Sequence, residues 1–382
     1  MPTKTPTKVL GRRRKPPVVP PRWSPQVHTA IRRALLGWFR SNARALPWRG
    51  TDDPYAVWIS EIMLQQTQVA TVAPYYERFL KAFRTVAQLA KAPLERVLEL
   101  WSGLGYYRRA RHLHQAAQTL VEKFAARFPE DYTSLRALPG IGDYTAKAVL
   151  SIAFNQPYAV LDGNVARVVA RLCPLIGNLH QPRFRSAVET KLDGLLSRRE
   201  PGNFNQALME LGQTICLPRG PLCATCPLAR WCGAYRSGNP EAFPLPRPRR
   251  AAESHYLAVA LIRRGTRVAM VRGLADGLLD DLWNFPSAFG SSPDEAQQAL
   301  RKKLAALFRA PERARQGKPM VTFGELMVEV RHGITFRAIQ GRIYPVRISQ
   351  PFRHPSLHWF TLKQLPQAAI SQLARKIVQK IS

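Results

Sequence analysis

Leu138-Pro139-Gly140-Ile141-Gly142 lies between two stretches of helical periodicity. Glycines let a backbone come close to a phosphate, and the helix that follows presents its unsatisfied N-terminal amides to the same anion. Gly140 and Gly142 therefore read as a hairpin that grips the backbone of DNA without regard to base sequence. Outward from this hairpin the chain stays helical. Ser24-Pro25 is an N-cap followed by proline at the first helical position, and helical patterns run from there to about residue 215. Breaks fall at Ala45-Leu46-Pro47, Asp52-Asp53-Pro54, Pro93, Gly103-Leu104-Gly105, Pro129 and Gly163. Few stretches alternate with period two, so the first half is expected to be all-α.

The 382 residues carry 57 Lys plus Arg against 25 Asp plus Glu, a formal net charge of +32. Such a charge calls for an acidic partner, with nucleic acid ahead of an anionic membrane surface. A hydrophobic content of 46% excludes wholesale disorder. No run of about 18 apolar residues offers a membrane span. The first 24 residues lack the apolar core of a signal peptide. The expectation is an intracellular monomer without a membrane partner, cytoplasmic or nucleoid-bound in a bacterium and nuclear in a eukaryote.

Residues 1–23 are basic, proline-rich and free of acids, which reads as a disordered arm. Residues 24–232 form the all-α region. Residues 233–252, with Gly238, Pro240, Pro244, Pro246 and Pro248, read as an exposed linker. From 253 to 382 the pattern is α+β. Strands are expected at His255–Ile262 and Thr266–Val271 around a turn at Arg264-Gly265, a helix at Asp294–Phe308, and further strands at Met327–Val330, Ile334–Gln340 and Gly341–Arg347.

Four of the five cysteines fall in one short loop, Cys216-x6-Cys223-x2-Cys226-x5-Cys232. Four thiolates so spaced suit either zinc or a [4Fe–4S] cluster, and the spacing leaves both open. Two carboxylates stand out. Asp162 precedes a helix start in Val160-Leu161-Asp162-Gly163-Asn164-Val165 and reads as an N-cap, a role compatible with stabilising a developing cation. Glu61 sits in the apolar stretch Trp58-Ile59-Ser60-Glu61-Ile62-Met63-Leu64, surroundings that favour a protonated carboxyl able to act as general acid. One anionic and one protonatable carboxyl make the pair a glycosidic cleavage requires.

Together these motifs resemble the helix–hairpin–helix DNA glycosylases with an iron–sulfur loop, and among them the MutY family of adenine DNA glycosylases. Leu46-Pro47-Trp48-Arg49, Ser60-Glu61-Ile62-Met63-Leu64-Gln65-Gln66-Thr67, Gly103-Leu104-Gly105-Tyr106-Tyr107 and Leu161-Asp162-Gly163-Asn164-Val165 look like its signatures. The 6-2-5 cysteine spacing resembles its cluster loop, which implies a [4Fe–4S] cofactor held by Cys216, Cys223, Cys226 and Cys232. Endonuclease III-like lyases of the same scaffold carry a nucleophilic lysine where this chain has Tyr144, so the resemblance implies a monofunctional enzyme.

The implied substrate is duplex DNA with adenine opposite 8-oxoguanine or guanine, the adenine being flipped into a pocket. Arg44, Leu46, Trp48, Arg49, Leu64, Val69 and Gln206 would line or support that pocket, although Trp48 also reads as core packing. Gln66, Thr67 and Leu104 would face the 8-oxoguanine, with Tyr106 wedged into the stack. Glu61 would protonate N7 of the adenine, while Asp162, oriented by Asn164, would stabilise the cationic sugar. The C-terminal region resembles a Nudix domain whose acidic box has become Ala299-Leu300-Arg301-Lys302-Lys303, implying a lesion reader rather than a hydrolase. Thr335, in His332-Gly333-Ile334-Thr335-Phe336, would supply a hydroxyl to the lesion. Phe336, Ala166 and Lys147 depart from the family pattern, with Lys147 read as a phosphate contact.

Overall fold

The computed structural model describes residues 23–246, 251–274, 282–308, 321–334, 336–349 and 354–381. The basic arm up to residue 22, the Pro248 end of the expected linker and Thr335 lie outside the described residues. By its contacts the chain divides into two compact units, Met1–Ala45 with Lys147–Arg247, and Leu46–Ala146 with Pro248–Ser382.

The helical region runs α1 (Pro25–Asn42), α2 (Pro54–Leu64), α3 (Val69–Ala82), α4 (Val86–Lys91), α5 (Leu94–Trp101), α6 (Arg108–Phe124), α7 (Tyr132–Arg136), α8 (Asp143–Ile152), α9 (Gly163–Leu172), α10 (Pro182–Leu195), α11 (Pro201–Thr214) and α12 (Gly233–Arg236). Local chemistry starts several of them. The Ser24 hydroxyl accepts from the Val27 amide ahead of Pro25. The Asp53 carboxylate accepts from the amides of Tyr55 and Ala56 ahead of Pro54. Helix α2 is buried from Tyr55 through Met63, which is why its sequence is apolar all round. In the unit that contains α9, α10 and α11, their apolar faces meet Ile31, Leu35 and Phe39 of α1 in a single core.

The C-terminal region is an eight-stranded sheet with a helix on each face. Its strands are β1 (Glu253–Arg264), β2 (Arg267–Arg272), β3 (Trp283–Asn284), β4 (Ser287–Gly290), β5 (Val321–Phe323), β6 (Val328–Ile334), β7 (Arg337–Ile348) and β8 (His358–Thr361), with helices α13 (Pro293–Leu307) and α14 (Gln372–Ile381). The order is β3-β2-β1-β7-β5, with β4 on β1, β6 on β7 and β8 on β2. The central pair β1 and β7 is parallel, from Glu253 opposite Arg337 to Ile262 opposite Val346. Leu257, Val259 and Leu261 point to α14, whereas Ala258, Ala260 and Ile262 point to α13. Burial on both faces explains the unbroken apolar run of β1.

Two expectations change in detail. Ile334–Gln340 and Gly341–Arg347 are not separate strands, because Gly341 stays in the ladder, opposite Leu257 and Val330. A Cβ on Gly341 would come within 2.9 Å of Val330 Cγ2, so its glycine serves close packing rather than a turn. Within the stretch read as an exposed linker, Ala234 and Phe243 are buried and the Leu245 amide bonds the Gly177 carbonyl.

Candidate active site

The hairpin joins α7 to α8. Leu138 and Ile141 are buried, anchoring the turn from below. Gly140 has φ +75°, and a Cβ there would lie 2.5 Å from the His112 Cβ, so only glycine fits. The Tyr132 hydroxyl donates to Asp143 across the turn at 2.7 Å. Gly140 and Gly142 are exposed, which leaves the backbone open to a phosphate.

Asp162 is the N-cap of α9. One carboxylate oxygen accepts from the Val165 amide at 2.7 Å, and the other from the Asn164 side-chain amide at 2.9 Å. Asn164 is itself held, since its carbonyl oxygen accepts from Arg167 at 2.9 Å. Arg167 is fixed in turn by the carbonyls of Cys216 at 2.8 Å and Gly212 at 2.7 Å. Burial lowers the Arg167 pKa from its ordinary value. The carboxylate thus has a set direction, imposed by a chain of side chains reaching the end of α11.

Glu61 is carried by the other unit, buried among Trp58, Ile59, Ile62 and Met63 on α2. The residues expected around the adenine sit in different surroundings. Trp48 is 7% exposed and its ring meets Tyr76 edge-on at 5.4 Å. Arg44 is engaged by Glu210 at 2.5 and 3.0 Å and by Gln213 at 2.6 Å. Leu46, Arg49, Leu64, Val69, Tyr144 and Gln206 are half-buried.

Gln66, Thr67, Leu104 and Tyr106 come together on two adjoining loops. Arg109, at the start of α6, stitches these loops to each other. Its guanidinium donates to the carbonyls of Ile62, Met63 and Gln65 at 2.9, 3.0 and 2.5 Å. It also donates to the Thr67 hydroxyl at 3.2 Å and to the Leu104 and Gly105 carbonyls at 3.5 and 3.3 Å. The same group lies 5.4 Å from the ring centres of Trp101 and Tyr106. Burial pulls its pKa down to about 10. Gln66 and Tyr106 have φ of 57° and 48°, a left-handed backbone uncommon outside glycine. Both side chains are exposed, while Leu104 is buried. Sequence reasoning missed Arg109. The signal available was a cation in the first turn of a helix with no acid beside it, where the helix dipole opposes it.

The HhH-GPD superfamily of base excision DNA repair proteins matches residues 59–192, the stretch that holds Glu61, the two loops, the hairpin and Asp162. Adenine DNA glycosylase of Mus musculus is 33% identical over 404 residues, covering 91% of this chain and 77% of the mouse protein. The Homo sapiens adenine DNA glycosylase is 32% identical, covering 91% of this chain and 73% of its own. The chain belongs to the adenine DNA glycosylase family. It is a hydrolytic glycosylase of base excision repair, and its partner is DNA. Among solved structures, a thermostable thymine-DNA glycosylase is similar with a TM-score of 0.50 and 26% identity, covering 56% of this chain and 98% of that one. No described helix of this glycosylase is long and apolar enough to cross a membrane.

The cysteine loop of the glycosylase corrects one expectation. Cys216, Cys223, Cys226 and Cys232 line one cavity with Arg171 and Tyr235. The Cys232 thiol donates to the Arg171 carbonyl at 3.3 Å, and Arg171 Nη1 donates to Cys216 Sγ at 3.5 Å. Burial raises the thiol pKa values of Cys223, Cys226 and Cys232, that of Cys226 to about 12. Among the described residues no group of three or more His, Cys, Asp or Glu side chains is placed to hold a metal ion. The expected [4Fe–4S] cluster is therefore withdrawn. The loop is shaped instead by the 3-10 turns Cys223–Thr225 and Ala229–Trp231 and by Arg171, which donates to the carbonyls of Leu217, Pro218 and Phe243.

Proposed function

We propose that this enzyme hydrolyses the N-glycosidic bond of adenine opposite 8-oxoguanine or guanine in duplex DNA, leaving an abasic site. The observation that carries the reading is Asp162, whose two carboxylate oxygens are fixed by the Val165 amide and the Asn164 side chain. A carboxylate so directed can stabilise the oxocarbenium-like sugar as the base departs. Glu61, buried in an apolar helix, is assigned the acid that protonates the adenine ring nitrogen N7. Water then adds at the sugar. Tyr144 offers no amine for a Schiff base, which supports hydrolysis without strand cleavage.

The C-terminal sheet is assigned a Nudix-like role as lesion reader. Its α13 carries Arg301, Lys302 and Lys303 where a hydrolase needs Mg²⁺-binding acids, and Lys303 is engaged with the Ser287 carbonyl at 3.0 Å.

Single-turnover cleavage of A:8-oxoguanine, A:G and T:G duplexes tests the assignment. Wild type is expected to excise adenine from the first two and leave T:G intact. Glu61→Gln should lower adenine excision by about 100-fold or more while retaining duplex binding. Thymine release, or near-normal cleavage by Glu61→Gln, would overturn the reading.

A further inference from the structure

The loop that bears Tyr106 is held by the C-terminal domain as well as by Arg109, and that grip is made of side-chain hydrogen bonds. Arg375, in the first turn of α14, donates to the Ser102 hydroxyl at 2.7 Å. The Ser102 hydroxyl in turn donates to the Ile370 carbonyl at 3.2 Å. The Tyr107 hydroxyl accepts from the Gly103 amide at 3.3 Å and donates to the same Ile370 carbonyl at 3.4 Å. Gln372 donates to the Gly103 carbonyl at 2.8 Å. Each hydroxyl is used once as donor and once as acceptor, so the set is internally consistent.

The Ile370 carbonyl is itself set by the sheet. Ile370 bridges Trp283 of β3, whose amide bonds the Ala369 carbonyl at 2.9 Å. Trp283 also reaches Glu95 of α5 through its indole N–H at 3.2 Å, and Arg272 meets the same carboxylate at 2.7 Å. Ser102 and Tyr107, at the two ends of the loop, are buried, whereas Tyr106 between them is 49% exposed. Gly103 leaves no slack, because a Cβ there would overlap the Tyr75 hydroxyl.

We propose that Arg375 and Gln372 are positioning residues that hold the 102–107 loop so that Tyr106 stays poised to enter the base stack. The C-terminal domain would then act on adenine extrusion mechanically, apart from any reading of the lesion. A left-handed Tyr106 persists only where its surroundings over-determine it, and these bonds together with Arg109 supply that constraint. The proposal rests on the reading of Tyr106 as a wedge.

The test uses full-length Arg375→Ala/Gln372→Ala protein with two readouts. Hydrogen exchange without DNA reports the loop directly, and amides at 103–106 should exchange about tenfold faster while β1 and β7 stay protected. Single-turnover excision from a paired A:8-oxoguanine duplex should slow about tenfold, the scale of one or two lost net hydrogen bonds. Adenine opposite an abasic site needs no wedge and should be excised at the wild-type rate. Arg375→Lys keeps one donor toward Ser102 and should recover part of the loss. Tyr106→Ala should show the same substrate pattern, and adding it to the double variant should cost nothing further. Unchanged exchange at 103–106, or equal losses on both duplexes, overturns the clamp. A wild-type rate for Tyr106→Ala on the paired duplex overturns the wedge reading instead, and the exchange measurement still decides the clamp.

Discussion

Two loop systems in this molecule are built around a half-buried or buried arginine, and each puts it to a different use. Arg109 collects the carbonyls of Ile62, Met63, Gln65, Leu104 and Gly105, while Arg171 collects those of Leu217, Pro218 and Phe243. In both, carbonyl dipoles rather than a carboxylate compensate the cation, so the charge is solvated by backbone. Around Arg109 the loops turn exposed side chains outward, on a left-handed backbone at Gln66 and Tyr106. Around Arg171 the loop turns its sulfurs inward onto a small cavity. One device therefore serves presentation in the first case and closure in the second.

The sharpest way to break the comparison is to remove each arginine. Arg171→Met and Arg109→Met should each cost on the order of 3 kcal/mol in urea unfolding, since several buried carbonyls lose their donor. On the proposed substrate reading, only Arg109→Met should also abolish a preference for A:8-oxoguanine over A:G in single-turnover assays. Equal effects of the two variants on that preference would erase the functional distinction between the loops.

A smaller difference is expected from glycine. Gly103→Ala puts a methyl into the Tyr75 hydroxyl at φ +117°, and should cost about 2–3 kcal/mol by overpacking and backbone strain together. Gly220 of the cysteine loop has φ +56° but open space around it, so Gly220→Ala should cost only about 1 kcal/mol. Thermal melts of the two variants compare crowding with conformation alone.

Tyr106→Gly sharpens the contrast further. Glycine relieves the left-handed strain and should raise stability by about 1 kcal/mol, while excision should fall on the proposed reading of Tyr106 as a wedge. Leu222, an exposed apolar residue of the cysteine loop, should be replaceable by alanine with no change in excision. Reduced activity in Leu222→Ala would give that loop a part in the chemistry.

The smallest effect is acid sensitivity. Burial, aided by nearby cations, lowers the pKa of His112 beneath the hairpin and of His28 on α1 from the ordinary 6.5. Their folded pKa values lie below the unfolded one, so the unfolded chain takes up protons first as pH falls below 6.5. Stability should then decline by a fraction of a kcal/mol until the folded pKa is passed, because exposure screens both groups. His112→Gln should remove part of that decline. A stability profile flat below pH 6.5 would contradict the sign.

Much of the secondary structure was legible from neighbours in the chain. Ser24-Pro25 and Asp162 behave as the caps their positions suggest, and the Gly140 turn follows from what glycine alone can do. The apolar run from Leu257 to Ile262 announced a strand, and its alternation between α13 and α14 accounts for it. The caps depend on atoms a few residues apart, and the apolar run depends on the order of its own side chains, so both are set by residue order.

What only tertiary structure decided are partnerships between distant parts. Arg375 and Ser102 are 273 residues apart, and neither is marked by its own surroundings in the chain. Arg109 looked like one more cation in a chain of net charge +32, yet its donors gather two loops. The cysteine spacing was compatible with a cluster, but how the side chains are placed relative to one another is a property of packing, and among the described residues no group is placed to hold a metal ion. Residue order sets which local bonds are possible. Only folding sets which buried polar groups meet, because each must find a partner wherever the packed chain brings one.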